Sequence, residues 1–372
     1  MEVNLNETKK GNLGFGFMRL PMKDGDFDYE QINRMVDTYL ANGFAHFDTA
    51  YVYQGSEEAM RKTLVERHPR EQYQIATKLN LMQAKSAEDM PKIFDTSLKR
   101  LGTDYVDFYL LHGIGLGGSI ETAEAFGAWD FVQRLKSEGR VRHAGFSFHG
   151  TPESLEDILT KHPEAEFVQL QINYLDWDSE DVQSRKLYET ARRHGKPVFV
   201  MEPVRGGMLA SDQSAIAKLF KDADPKASLA SWALRFAAEL DGVYVVLSGM
   251  SSYAQLEDNI ATMKNLKPLS QGDRALLQKA ADTLRNIPRI PCTGCRYCVE
   301  GCPQKINIPM MMNCYSDYLV YSTTENVEHM YRMITSEGNT AATCIACGAC
   351  EKTCPQSIKI IDTLANVAKL FD

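Results

Sequence analysis

The chain has 372 residues, 44% hydrophobic and 24% charged, with a formal charge of −8. That length accommodates one large domain and one small one, and the acidity argues against wrapping nucleic acid. No run of eighteen apolar residues occurs and the N-terminus lacks an apolar signal core, so neither a membrane span nor secretion is expected and the cytoplasm is the default location.

Residues 1–285 alternate short apolar strands with amphipathic helices, the order of a parallel sheet with crossover helices. Eight strands are expected, at about 13–17, 45–50, 73–79, 106–112, 141–147, 167–173, 197–203 and 243–249. Eight such units in this length fit a (β/α)8 TIM barrel. Between the first two strands, Ile32, Met35, Val36, Tyr39 and Leu40 share one helical face, which ends at Asn42-Gly43. Thr151-Pro152 reads as an N-cap followed by a proline at the first helical position. Leu229, Trp232, Ala233, Phe236 and Leu240 make a second buried stripe. No G-x-G-x-x-G opens a helix, which speaks against a Rossmann sheet. Gly113, Gly115, Gly117 and Gly118 read as a flexible loop above the barrel mouth.

A boundary is expected near Asn286–Pro291, dividing a barrel over 1–285 from a mainly α-helical domain over 286–372. The second domain opens with Cys292, Cys295, Cys298 and Cys302, followed by Pro303. Cys344, Cys347, Cys350 and Cys354, followed by Pro355, repeat that C-x2-C-x2-C-x3-C-P spacing. This is the ligand pattern of ferredoxins with two [4Fe–4S] clusters, in which the fourth cysteine of each run serves the other cluster. By that rule Cys292, Cys295, Cys298 and Cys354 hold one cluster, and Cys344, Cys347, Cys350 and Cys302 the other. Structural zinc is the competing reading, but it gives no reason for the third step or for either Cys-Pro pair. Metal-bound thiolates also call for a reducing compartment. Cys314 is left over and reads as a buried free thiol, and Met310, Met311 and Met312 read as core filler.

Chemistry in a TIM barrel belongs at the C-terminal ends of its strands. Asp48 ends the second strand and Tyr53 follows five residues later. Lys78 ends the third, His112 the fourth, Ser147 the fifth and Gln171 the sixth. Hydride reduction of a carbonyl builds an alkoxide that needs a proton. A tyrosine with pKa about 10 is a weak donor at neutral pH. A neighbouring ammonium stabilises the phenolate and brings that pKa toward the working range. Asp48 would hold Lys78 in place, and His112 would polarise the carbonyl by a hydrogen bond. Each residue alone has a structural alternative, and the conjunction carries the reading.

FDTAYVYQGSE, ATKL and LLHG resemble the motifs of the aldo/keto reductase family, over about residues 11–270. The resemblance implies a tetrad of Asp48, Tyr53, Lys78 and His112, with Tyr53 as general acid. It places Met18 near the nicotinamide and gives its carboxamide to Ser147 and Gln171. It puts Arg205 near the cofactor pyrophosphate and Ser251, Gln255, Asp258 and Asn259 at the adenosine end. The whole chain resembles the family's subgroup with an appended [4Fe–4S] ferredoxin domain. Phe148 and His149 follow Ser147 where the family has Asn, with His149 offered as a replacement contact. Met201 stands where an aromatic ring commonly stacks on nicotinamide, followed by Glu202. Gly249 and Gln255 occupy the positions of the Lys and Arg that grip a 2′-phosphate, which favours NADH over NADPH.

The expected function is therefore an NAD(P)H-dependent oxidoreductase acting on a small aldehyde, ketone or alcohol and carrying two [4Fe–4S] clusters. The alternative is an electron-transfer protein coupling nicotinamide to a ferredoxin or flavoprotein partner. Neither nucleic acid nor membrane is an expected partner.

Overall fold

The computed structural model describes residues 5, 9, 11–322, 325–336 and 338–372, with the backbone alone at 325 and 326. Eight strands close into a parallel barrel. They are β1 (Leu13–Gly16), β2 (His46–Asp48), β3 (Gln74–Leu79), β4 (Val106–Ile114), β5 (Val141–Phe148), β6 (Phe167–Gln171), β7 (Val198–Met201) and β8 (Val243–Ser248). Successive strands pair in order, and β1 closes the ring by pairing with β8 through Leu13–Val246, Gly14–Leu247 and Phe15–Ser248. The eight expected strands and the parallel order are all present.

Local chemistry sets the crossovers. The helix Tyr29–Ala41 buries Ile32, Met35, Val36 and Tyr39, and its N-cap Asp28 accepts from the Gln31 amide. Asn42 ends it and Gly43, at φ 84°, takes the left-handed turn that follows. Thr151 and Ser154 form a reciprocal capping box at the start of Pro152–Lys161. Leu229, Trp232, Ala233 and Phe236 of the second stripe lie on the helix Leu229–Ala238, and Leu240 falls just beyond its end.

The floor of the barrel is an aromatic plug. Phe167 stacks on Phe199 at 4.2 Å and Phe199 on Tyr244 at 4.9 Å, with Phe108 edge-on to Phe167 at 5.6 Å. Each of these buried rings contributes about 1.5–3 kcal/mol through burial.

Part of the glycine loop is packed. Ser119 Oγ accepts from the Gly115 amide at 2.9 Å and donates to the Gly113 carbonyl at 3.1 Å. A Cβ at Gly115 would stand 2.5 Å from the Gly150 amide nitrogen, so no larger residue fits there.

The chain divides into two compact units, Met1–Val204 with Ser231–Asp273, and Arg205–Ala230 with Arg274–Asp372. The second unit thus takes up Arg205–Ala230 as well as the C-terminal part, where the sequence reading drew one boundary at 285/286. Its helices include Ile308–Tyr321, Glu325–Ile334 and Ile360–Phe371, and its core holds Ile308, Met311, Met312, Cys314, Val320, Ile360 and Leu364. Consecutive residues on a helix point about 100° apart, so Met310 faces out, 39% exposed, while Met311 and Met312 are buried. The expectation that all three are core filler therefore holds for two of them. Cys314 is buried, donates to the Val327 carbonyl at 3.7 Å, and burial pushes its thiol up to about 12. No described helix is long and apolar enough to cross a membrane.

Candidate active site

Asp48 is the last residue of β2, and its carboxylate meets Lys78 from β3. Lys78 Nζ donates to Asp48 Oδ1 and to the Thr49 carbonyl, both at 2.7 Å. The lysine side chain is 0% exposed. The Lys78 ammonium stands 5.3 Å from the Tyr53 ring centroid, and the His112 ring meets Tyr53 edge-on at 5.9 Å between centroids. The structure thus brings Asp48, Tyr53, Lys78 and His112 together around one point at the barrel mouth.

The loop that carries Tyr53 is tied down along its length. Thr49 Oγ1 and Ser56 Oγ lie 2.7 Å apart, and Ser56 donates on to the Phe17 carbonyl at 2.9 Å. Buried Glu57 accepts from Thr77 at 2.8 Å and from Arg100 at 3.3 Å. Arg100 also donates to the Tyr51 carbonyl at 3.1 Å. These anchors escaped the sequence reading. Their one signal was the density of small polar residues in FDTAYVYQGSE.

The electrostatics follow from burial. Burial pushes the Tyr53 phenol up, Lys78 pulls it down, and the balance leaves it raised. The expected depression of this pKa is therefore corrected: desolvation outweighs the ammonium. Burial opposes the charge on Lys78 as well, but Asp48 and then Tyr53 more than offset it, so the ammonium is held. Burial raises Asp48 against the pull of Lys78. His112 is pushed down to about 3 by burial, then by the charges of Lys78 and His149, and is neutral near pH 7. Its Nδ1 and Asp48 Oδ2 are buried without a hydrogen-bond partner.

Ser147 and Gln171 end neighbouring strands. Ser147 Oγ accepts from the Gly113 amide at 2.8 Å, leaving its hydroxyl hydrogen to donate. Gln171 Nε2 donates to Asp176 Oδ2 at 2.7 Å. A carboxylate only accepts, so this contact fixes the amide orientation and leaves Oε1 as the acceptor. Asn173 supports the arrangement, donating to Asp176 at 2.8 Å and to the Glu202 carbonyl at 3.1 Å. Glu202, at φ 56°, stands 3.8 Å from Arg19. Gln169, two residues before Gln171, has a buried and unpartnered Oε1. The sequence reading missed Asp176, Asn173, Arg19 and Gln169, whose contacts come from other strands and loops.

The eight cysteines of the two runs form two sets. Cys292, Cys295, Cys298 and Cys354 line one cavity, and Cys302, Cys344, Cys347 and Cys350 line another. No cysteine is in a disulfide. Among the described residues, no group of three or more His, Cys, Asp or Glu is placed to hold a single metal ion. Four thiols around a shared cavity instead suit a larger iron–sulfur core, which disfavours zinc.

The aldo/keto reductase family model matches residues 12–282. The chain belongs to the aldo/keto reductase family. It is an NAD(P)H-dependent oxidoreductase, and a 4Fe-4S dicluster domain model matches residues 291–359. L-galactose dehydrogenase of Arabidopsis thaliana is 27% identical over 293 residues, 73% of this chain and 90% of that protein. The holo form of aldo-keto reductase AKR11C1 from Bacillus halodurans is 28% identical at a TM-score of 0.58, covering 73% of this chain and 92% of that one. An aldo/keto reductase of Klebsiella pneumoniae in complex with NADP and acetate is 22% identical at a TM-score of 0.57, a likeness of fold.

The remaining family positions are distributed as follows. Met18 is 51% exposed just beyond β1. Ser251 donates through Oγ to the Arg19 carbonyl at 2.9 Å, and its amide donates to Gln255 Oε1 at 2.7 Å. Asp258 is half-buried on the helix Tyr253–Lys264. Asn259 is buried and donates to Ser248 Oγ at 2.8 Å. The His149 amide donates to the Ile114 carbonyl at 2.9 Å, and the residue is exposed. Arg205 is engaged within the second unit, donating to Tyr321 Oη at 2.8 Å.

Two histidines, one buried and one half-buried, make stability depend on pH. His46, fully buried against Phe108 and Phe199, is also held down to about 3, by burial first and Lys78 second. In the unfolded chain both histidines titrate at about 6.5. Between those values the unfolded chain binds protons that the folded one refuses, so stability is complete above about 6.5 and falls as pH drops. Urea midpoints should therefore fall from pH 7 to pH 5, and His46→Leu should fall less. An equal fall in both proteins would contradict the assignment.

Proposed function

We propose that the chain reduces a small aldehyde or ketone, or oxidises the corresponding alcohol, with Tyr53 as the proton donor and acceptor. The observation that carries this reading is the buried Lys78–Asp48 pair beneath the Tyr53 ring. When bound, the nicotinamide supplies the hydride to the carbonyl carbon. Tyr53 Oη–H gives its proton to the carbonyl oxygen, and the phenolate left behind faces an ammonium already in position. Neutral His112 offers an N–H to the same oxygen and orients it. In the reverse direction the phenolate takes the proton back.

The residues fit a nicotinamide carboxamide, which needs one acceptor for its NH2 and one donor for its carbonyl. Gln171 Oε1 and the Ser147 hydroxyl hydrogen are the two groups their other hydrogen bonds leave open. Gly249 and Gln255 bring no cation to a 2′-phosphate, which supports NADH as the preferred form. The need for free thiolates supports a reducing compartment such as the cytoplasm.

Tyr53→Phe should lower kcat for NADH-dependent aldehyde reduction by about 10²–10⁴-fold, with the visible iron–sulfur absorbance unchanged. Equal rates in both proteins would refute the tyrosine's role. In the wild type, kcat/KM should be higher with NADH than with NADPH, and the reverse order would overturn the cofactor preference.

The two cysteine-lined cavities support two [4Fe–4S] clusters with exchanged fourth ligands. Cys295 and Cys347 are exposed, which favours a second reading in which the clusters trade electrons with a ferredoxin or flavoprotein. Cys354→Ala should remove iron from the set of Cys292, Cys295 and Cys298 and leave the other set loaded, so about half the iron should be lost. Loss of iron from the set containing Cys344 instead would overturn the pairing.

A further inference from the structure

A groove of about 710 Å³ opens in the second unit, lined in part by Arg296, Lys305, His329, Met310, Met330 and Met333. Arg296, Lys305, His329, Met310 and Met333 are exposed. No Asp or Glu is among the described lining residues. Neither Arg296 nor Lys305 is in an ion pair among the described residues. In a chain of charge −8 this is a local basic patch on an acidic molecule. Its apolar part is methionine, whose unbranched, polarisable side chain adapts to varied surfaces.

The groove adjoins the first cysteine cavity. Arg296 lines both. Met310 belongs to the groove, while its neighbours Pro309 and Met312 belong to the wall around Cys292, Cys295, Cys298 and Cys354. A molecule seated in the groove would therefore be separated from the cavity by a shared wall.

We propose that this groove docks a small acidic ferredoxin, which exchanges electrons singly with a cluster held by Cys292, Cys295, Cys298 and Cys354. The proposal rests on the reading of those cysteines as cubane ligands. Its electron count is simple: the reduced ferredoxin loses one electron, the cluster gains one, and no bond or proton moves. The net charge of the chain would repel an acidic carrier over most of the surface. The basic groove supplies local attraction and orientation, a contact that governs encounter more than final affinity.

The test uses the full-length, cluster-loaded protein and a small acidic two-cluster bacterial ferredoxin as probe. Calorimetry at low and high salt would give the Kd for wild type and for Lys305→Glu/His329→Glu, a variant that leaves Arg296 and every cysteine in place. Binding should weaken about 10-fold or more in the variant, and its salt dependence should flatten. Reduction by dithionite, followed by electron paramagnetic resonance, should be the same in both. Equal affinity in both proteins would overturn the groove as the docking surface. So would failure to bind ferredoxin while dithionite still reduces the clusters, and so would preferential binding of a flavodoxin. A dimer seen by sedimentation and lost in the variant would assign the groove to a second copy and overturn the proposal. Absence of iron–sulfur absorbance from the reconstituted wild type would sink the cubane reading itself, and the docking proposal with it.

Discussion

A lysine ammonium with no exposure to water sits in the wall of this barrel, and the candidate site is organised around it. Desolvating such a charge costs several kcal/mol, and only close, well-formed contacts offset it. Lys78 has two, to Asp48 and to the Thr49 carbonyl. Thr49 is in turn linked through Ser56 to the Phe17 carbonyl just beyond β1. The contacts that neutralise the lysine thereby brace the loop carrying Tyr53. Packing and electrostatics are one constraint here. Removing Asp48 would leave an uncompensated buried charge as well as loosen the loop.

The direction of the Tyr53 shift follows from that burial. A phenol beside an ammonium alone would be acidified. A phenol desolvated by its surroundings is pushed the other way, and desolvation is the larger effect. The resting side chain thus keeps its proton. As proposed, the ammonium matters at the moment of transfer: it lowers the energy of the phenolate that forms, without discharging the donor beforehand. A preoriented charge of this kind needs no reorganisation during the step. Neutral His112 fits the same arrangement, since a second cation so close to Lys78 would be repelled.

Much of this was legible in the sequence for identifiable reasons. The eight strands are apolar runs bounded by turn residues, and the four polar side chains stand at the ends of three of them or just beyond. The cysteine spacing names two sets, and two cavities are lined by those sets. What escaped depends on distance in space. The hairpin Met22–Lys23 with Asp26–Phe27 has strands too short to carry a period. Asp176 orients Gln171 across a loop, and Arg19 meets Glu202 from opposite ends of the barrel sequence. The grouping of Arg205–Ala230 with the second unit, and the bond from Arg205 to Tyr321, join residues 116 positions apart. The sign of the Tyr53 shift needs the depth of burial, which no local pattern encodes.

The two chemistries of the chain count electrons differently. Nicotinamide moves two as a hydride, while a cubane moves one. A flavin commonly converts between them, and the sequence shows no motif for one. As proposed, hydride transfer would be complete without cluster electrons, because Tyr53 would supply the proton and the nicotinamide both electrons. On that proposal, carbonyl reduction does not require the clusters. Any electrons they carry must come from or go to another one-electron carrier.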